Sequence, residues 1–136
     1  MASPKPNPAP LVLIADDEDI VRSFAARCLS DEGYSTLVAA DGMVALTMLR
    51  ALPAPVDLLI ADIRMPRLTG DALAFQATQA GLVQRVLFIT GYDLQPEKTQ
   101  MLGPVLGKPF KVEELVEAVR AIMKGDTSPP RRAPLV

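Results

Sequence analysis

Two apolar rhythms alternate along the chain. The runs "LVLIA" (11–15), "VDLLIA" (56–61) and "RVLFIT" (85–90) are almost unbroken, as strands covered on both faces are. Between them the spacing becomes helical. Ile20, Val21, Phe24, Ala25, Cys28 and Leu29 form one stripe, which Gly33 stops. "YSTLVAA" (34–40) is a more polar strand, suited to a sheet edge. Asp41 can cap a helix carrying Val44, Ala45, Met48, Leu49 and Leu52. A further helix runs from about Gly70 to Ala80 and ends at Gly81. "PEKTQML" (96–102) allows only a short helix, with Pro96 in its first turn and Gly103-Pro104 closing it. "VLG" (105–107) is a fifth strand, and Val112, Leu115, Val116, Val119, Ile122 and Met123 form the inner face of a last helix. Five strand–helix units in this order predict parallel strands joined by crossover helices, an α/β architecture.

Both ends depart from that pattern. Residues 1–10 carry Pro4, Pro6, Pro8 and Pro10, and 125–136 carry Pro129-Pro130, so both are expected to be extended tails around a domain at 11–124. A chain of 136 residues with 49% apolar content fits one packed domain. Its net charge of −2 offers no field for nucleic acid or anionic membrane. The longest unbroken apolar stretch, Leu11 to Ala15, is too short to span a bilayer, and "MASPKPNPAP" lacks the apolar core of a secretory signal. The single cysteine, Cys28, excludes an internal disulfide and suits a reducing, cytoplasmic setting. Histidine is absent, which removes Ser-His-Asp and Cys-His nucleophile systems and most zinc sites.

Ligands of open parallel sheets sit beyond the carboxyl ends of the strands. The residues there are Asp16-Asp17-Glu18, Asp41, Asp62, Thr90 and Lys108. Each alone has a plain reading. Asp17 can cap the first helix, with Glu18 and Asp19 favoured by its dipole. Asp62 can be a turn residue, Thr90 a strand-end hydroxyl, and Lys108 a solvated cation. Gathered together they read differently. Converging carboxylates raise one another's pKa unless a cation joins them. An oxygen-rich pocket without histidine or thiol suits Mg2+. A lysine and a hydroxyl beside it suit a tetrahedral dianion carried on one carboxylate.

The order Asp16-Asp17, Asp62, Thr90, Lys108-Pro109-Phe110 resembles the receiver domain of two-component response regulators. "ADIRMPRLTG" (61–70) is similar to that family's phosphoacceptor stretch and "LGKPF" (106–110) to its lysine-proline signature. The resemblance covers roughly residues 11–124. It implies a flavodoxin-like doubly wound sandwich with strand order 2-1-3-4-5. It also implies that Asp62 accepts a phosphoryl group from a phosphohistidine on a histidine kinase or histidine phosphotransfer protein. Asp16, Asp17, Asp62 and the backbone carbonyl of Arg64 would hold Mg2+. Lys108 would pair with one phosphate oxygen and Thr90 with another. The Lys108-Pro109 bond is expected to be cis.

Two departures qualify that expectation. Receivers usually carry an aromatic switch residue three positions before the lysine, and here that position is Val105. Tyr92, two residues after Thr90, is the candidate substitute, expected to screen the phosphoryl group from water. The short 96–102 segment leaves a monomer or a weak dimer as the expectation. The twelve residues after Lys124 are too few for a DNA-reading module, so output would pass through protein contacts, phosphate relay or a larger protein. A receiver-like interaction module that works without phosphorylation remains the alternative. A dehalogenase-type phosphatase generally has a second acid two residues after the nucleophile, where this chain has Arg64. A flavin-binding relative would need a glycine- and hydroxyl-rich loop after the first strand, which is not present.

Overall fold

The computed structural model describes residues 9–91 and 103–125. Five strands form one parallel sheet: β1 (Leu11–Ala15), β2 (Ser35–Ala39), β3 (Leu58–Asp62), β4 (Val86–Thr90) and β5 (Val105–Gly107). Their spatial order is β2-β1-β3-β4-β5, the order expected for the flavodoxin-like fold. Four described helices connect and cover them: α1 (Asp19–Asp31), α2 (Gly42–Ala51), α3 (Gly70–Gln79) and α4 (Val112–Met123). The short helix expected at 96–102 and nearly all of both expected tails lie outside the described residues.

Side-chain alternation along each strand sorts the apolar runs between two helical layers. Leu13, Ala15, Leu59, Ala61, Val86 and Phe88 face α2 and α3, where they meet Leu46, Leu49, Leu73 and Ala77. Val12, Ile14, Leu58, Ile60, Leu87 and Ile89 face α1 and α4, where they meet Ala25, Leu29, Leu115 and Val119. The sheet is therefore the middle layer of an α/β/α sandwich. The same parity places Asp16 and Asp62 on the α1/α4 side, one step beyond Ile14 and Ile60. Cys28 is a buried free thiol in that layer.

Three expectations change. Strand β3 begins at Leu58 rather than Val56. Val56 makes only an isolated bridge to Val83, and the Asp57 carboxylate accepts a hydrogen bond from the Leu11 backbone N–H at 2.8 Å. Ile20, in the first turn of α1, is 83% exposed, and Phe24 one turn further on is exposed too, despite their place in the apolar stripe. Val112 opens α4 in the same way and is also exposed. Asp17 does not cap α1: Glu18 is the N-cap residue, and no side chain there makes a capping bond.

Candidate functional site

The carboxyl ends of β1, β3 and β5 build one mouth. Asp62 closes β3 in the middle of the sheet, paired with Ile89 of β4, while its neighbour Ala61 pairs with Ala15 of β1. Its carboxylate Oδ1 accepts from the Arg64 backbone N–H at 3.2 Å, turning the chain sharply out of the strand. Gly70 lets α3 start close by: its N–H donates to the Ile63 carbonyl, and a Cβ there would stand 2.2 Å from the Asp62 carbonyl oxygen. Asp16 follows β1 and is fully buried, with Oδ1 accepting from the Glu18 backbone N–H at 2.8 Å. Lys108 follows β5 and is joined to Pro109 by the expected cis peptide bond. Its backbone N–H donates to the Thr90 carbonyl at 2.6 Å, tying the ends of β4 and β5 together.

The side chains converge as their strand-end positions require. Carboxylate oxygens of Asp16, Asp17 and Asp62 lie within 4.8 Å of one another. The Lys108 ammonium stands 2.9 Å from Asp16 Oδ2, 2.9 Å from Glu18 Oε1 and 3.2 Å from Asp62 Oδ2. Asp16 Oδ2 is buried and accepts no well-directed hydrogen bond, so its contact with Lys108 is chiefly electrostatic. Thr90 is buried, and its hydroxyl donates to the Gly91 carbonyl at 3.3 Å. Val105 is half-buried against the α2/α3 layer, and Tyr92 lies outside the described residues.

Electrostatics mark the mouth as unsatisfied. Burial, reinforced by the neighbouring Asp16 charge, pushes the Asp62 carboxyl up to about 6. Burial likewise raises Asp16, against the pull of Lys108. For Lys108, burial favours the neutral amine, but the carboxylates of Glu18 and Asp16 outweigh it and hold its pKa above the ordinary lysine value. Three crowded carboxylates, one with a buried oxygen that accepts no directed hydrogen bond, form a hard, anionic donor set of the kind that Mg2+ prefers. The residues present therefore fit that ion.

Asp41 and the glycine at the start of α2 form a separate corner. Asp41 Oδ1 caps α2 by accepting from the Val44 N–H at 2.8 Å, and Oδ2 lies 3.4 Å from Arg67 Nε. Of the strand-end acids singled out in the sequence, Asp16, Asp17 and Asp62 form the cluster, Glu18 joins it only through Lys108, and Asp41 stands apart. Three contacts were not foreseen, although Glu18 itself stands among the strand-end residues of the sequence. Glu18 holds Lys108 from ninety positions away, a pairing with no local signal. Arg22 Nη1 donates to the Asp16 carbonyl at 2.6 Å and pairs with Asp19; its i+3 spacing from Asp19 is the one trace in the sequence. Arg67 adopts a left-handed φ of 69° between Pro66 and Leu68, where the Leu68 N–H closes a tight turn onto the Pro66 carbonyl.

Known proteins resemble this chain in sequence and in fold. The response regulator receiver domain family matches residues 12–120. Response regulator MprA of Mycobacterium avium is 37% identical over 117 residues, which cover 83% of this chain and 50% of MprA. The alkaline phosphatase synthesis transcriptional regulatory protein SphR of Synechococcus elongatus is 28% identical over 144 residues, covering 98% of this chain and 56% of SphR. The chain thus spans about half the length of these curated relatives. Among solved structures, the chemotaxis response regulator CheY4 of Vibrio cholerae superimposes with a TM-score of 0.74 at 29% identity, covering 84% of this chain and 98% of that one. The receiver domain of the Francisella response regulator 1452 gives 0.74 at 28% identity, covering 85% and 98%. Fold and kinship agree: the chain belongs to the response regulator receiver domain family.

Proposed function

We propose that Asp62 accepts a phosphoryl group from a phosphohistidine on a histidine kinase or histidine phosphotransfer protein, and that the phosphorylated domain signals through altered protein contacts. One observation carries this reading. A buried carboxylate at a strand end faces both a lysine ammonium at 3.2 Å and two further acids that fit a divalent ion.

Asp16, Asp17, Asp62 and the backbone carbonyl of Arg64 would hold Mg2+, which supplies neutralising positive charge for an anionic group entering an anionic pocket. The chain's own residues do the rest. Asp62 is fixed by a central strand, so its oxygen can meet phosphorus in line with the leaving nitrogen. A P–O bond to Asp62 forms, the P–N bond breaks, and the imidazole leaves with the electron pair. Lys108 brings a point charge to a phosphoryl oxygen, and charge placement of this kind dominates phosphoryl transfer. Thr90 is the hydroxyl donor for a second oxygen, reached by turning away from Gly91. Val105 offers no ring to follow that turn, so the readout rests on other parts of the surface, with Tyr92 the proposed screen against water.

The test is incubation with a small phosphodonor and Mg2+, followed by intact mass measurement. One added phosphoryl group is expected, labile to base and lost in Asp62→Asn. An unchanged mass in the wild-type chain, or uptake persisting in Asp62→Asn, defeats the reading.

A further inference from the structure

Lys108 faces more acid than a metal and a phosphoryl group require. Asp16 and Asp62 are buried parts of the pocket floor. Glu18 differs from both: its side chain is 60% exposed, yet its Oε1 reaches the ammonium at 2.9 Å. It occupies the N-cap position of α1, yet its side chain caps no helical N–H. Its carboxylate is thus committed to Lys108 rather than to the helix.

The charge balance gives that contact a consequence. Asp16, Asp17, Glu18 and Asp62 against Lys108 leave three excess negative charges among these five side chains. A divalent ion would leave one, and Glu18 is the group that accounts for it. An ammonium has three N–H donors, and here it is surrounded by three carboxylates. An incoming phosphoryl oxygen needs one of those donors.

We propose that Glu18 is a positioning residue that competes with the phosphoryl group for Lys108, and so sets how readily the pocket takes a free phosphodonor. The inference rests on the phosphoacceptor reading above. With acetyl phosphate, an Asp62 oxygen bonds to phosphorus, the P–O bond to the acetyl carboxylate breaks, and acetate leaves with the electron pair. Glu18 and Asp62 hold the ammonium through its two directed hydrogen bonds, and an N–H turned toward the moving group competes with the Glu18 contact. Because Glu18 is largely solvated, its charge is partly screened, and the expected effect is about three- to tenfold.

The experiment measures phosphoryl uptake against acetyl phosphate concentration for wild type, Glu18→Gln and Asp71→Asn, each at saturating Mg2+. Asp71 lies in the first turn of α3 and controls for loss of a surface charge. Glu18→Gln is expected to lower the half-saturating concentration about three- to tenfold, with the smaller change in maximal rate, and to lose part of that gain at high salt. Asp71→Asn is expected to match wild type. In the metal-free protein the Lys108 side-chain nitrogen resonance, assigned by its loss in Lys108→Met, is expected to move in Glu18→Gln and stay in Asp71→Asn. An unchanged half-saturating concentration, or an unmoved Lys108 resonance in a folded Glu18→Gln, overturns the proposal. A wild-type chain that takes no phosphoryl group overturns the phosphoacceptor reading instead.

Discussion

Two acids end neighbouring stretches of this chain, and the protein treats them differently. Asp41, after β2, is buried but satisfied: one oxygen caps α2 and the other faces Arg67. Asp62, the last residue of β3, is equally buried, and that burial, with the Asp16 charge beside it, drives its carboxyl up to about 6. A satisfied buried carboxylate stabilises its own surroundings. A crowded one costs stability until something positive arrives. The Asp41 corner is thus architecture, and the Asp62 mouth stores unfavourable electrostatics that a ligand can relieve.

The largest effect expected is steric. A Cβ on Gly70 would stand 2.2 Å from the Asp62 carbonyl, and one on Gly42 would stand 2.2 Å from the Leu68 carbonyl. Gly70→Ala and Gly42→Ala should each cost about 3 kcal/mol in chemical denaturation, since backbone must shift in both. Only Gly70→Ala should also slow phosphoryl uptake by the folded fraction, because only there does the shift move the nucleophile. Equal rates in both variants would erase the distinction between mouth and corner.

The next effect depends on pH. The Asp62 carboxyl rises from its usual 3.8 to about 6, so the folded state holds this proton more tightly than the unfolded chain. Its contribution is therefore full below pH 3.8 and is lost as pH climbs to about 6, with Asp16 shifted in the same direction. In chelator-treated protein this loss should amount to about 2 kcal/mol between those limits. Asp62→Asn should flatten the slope and stabilise the metal-free fold at neutral pH. Denaturation at the two pH values in wild type and variant checks it.

Smaller changes belong to the corner. Asp41→Ala removes a helix cap and should lower stability by about 1 kcal/mol while leaving phosphoryl uptake at Asp62 intact. Arg67→Gly gives up an ion pair with an exposed arginine but relieves the φ of 69°, so the net change in melting temperature should be slight.

The fold was largely legible because buried parallel strands leave unbroken apolar runs, as Val86 to Ile89 does. Which layer each residue faces was not, since an unbroken run hides its own alternation. Ile20 and Phe24 misled for a related reason: helical spacing says which side of α1 is apolar, not where the sheet beneath it ends. Asp62 and Lys108 were visible through their motifs, but nothing local separates Asp41 from Asp62. That difference arises from what the other strands deliver, as Asp16 and Lys108 do at the mouth and Arg67 does at the corner. The Glu18–Lys108 contact was invisible for the same reason, because it exists only once β1 and β5 lie in one sheet.

The mouth, and not the corner, is built to receive positive charge. Titrating metal-free protein with Mg2+ while following backbone amide resonances tests it most directly. Saturable shifts are expected at residues 16–18, 62–64 and 108, abolished in Asp16→Asn and preserved in Asp41→Asn. Shifts centred on residues 41–44, or none at the mouth at millimolar Mg2+, would contradict the account.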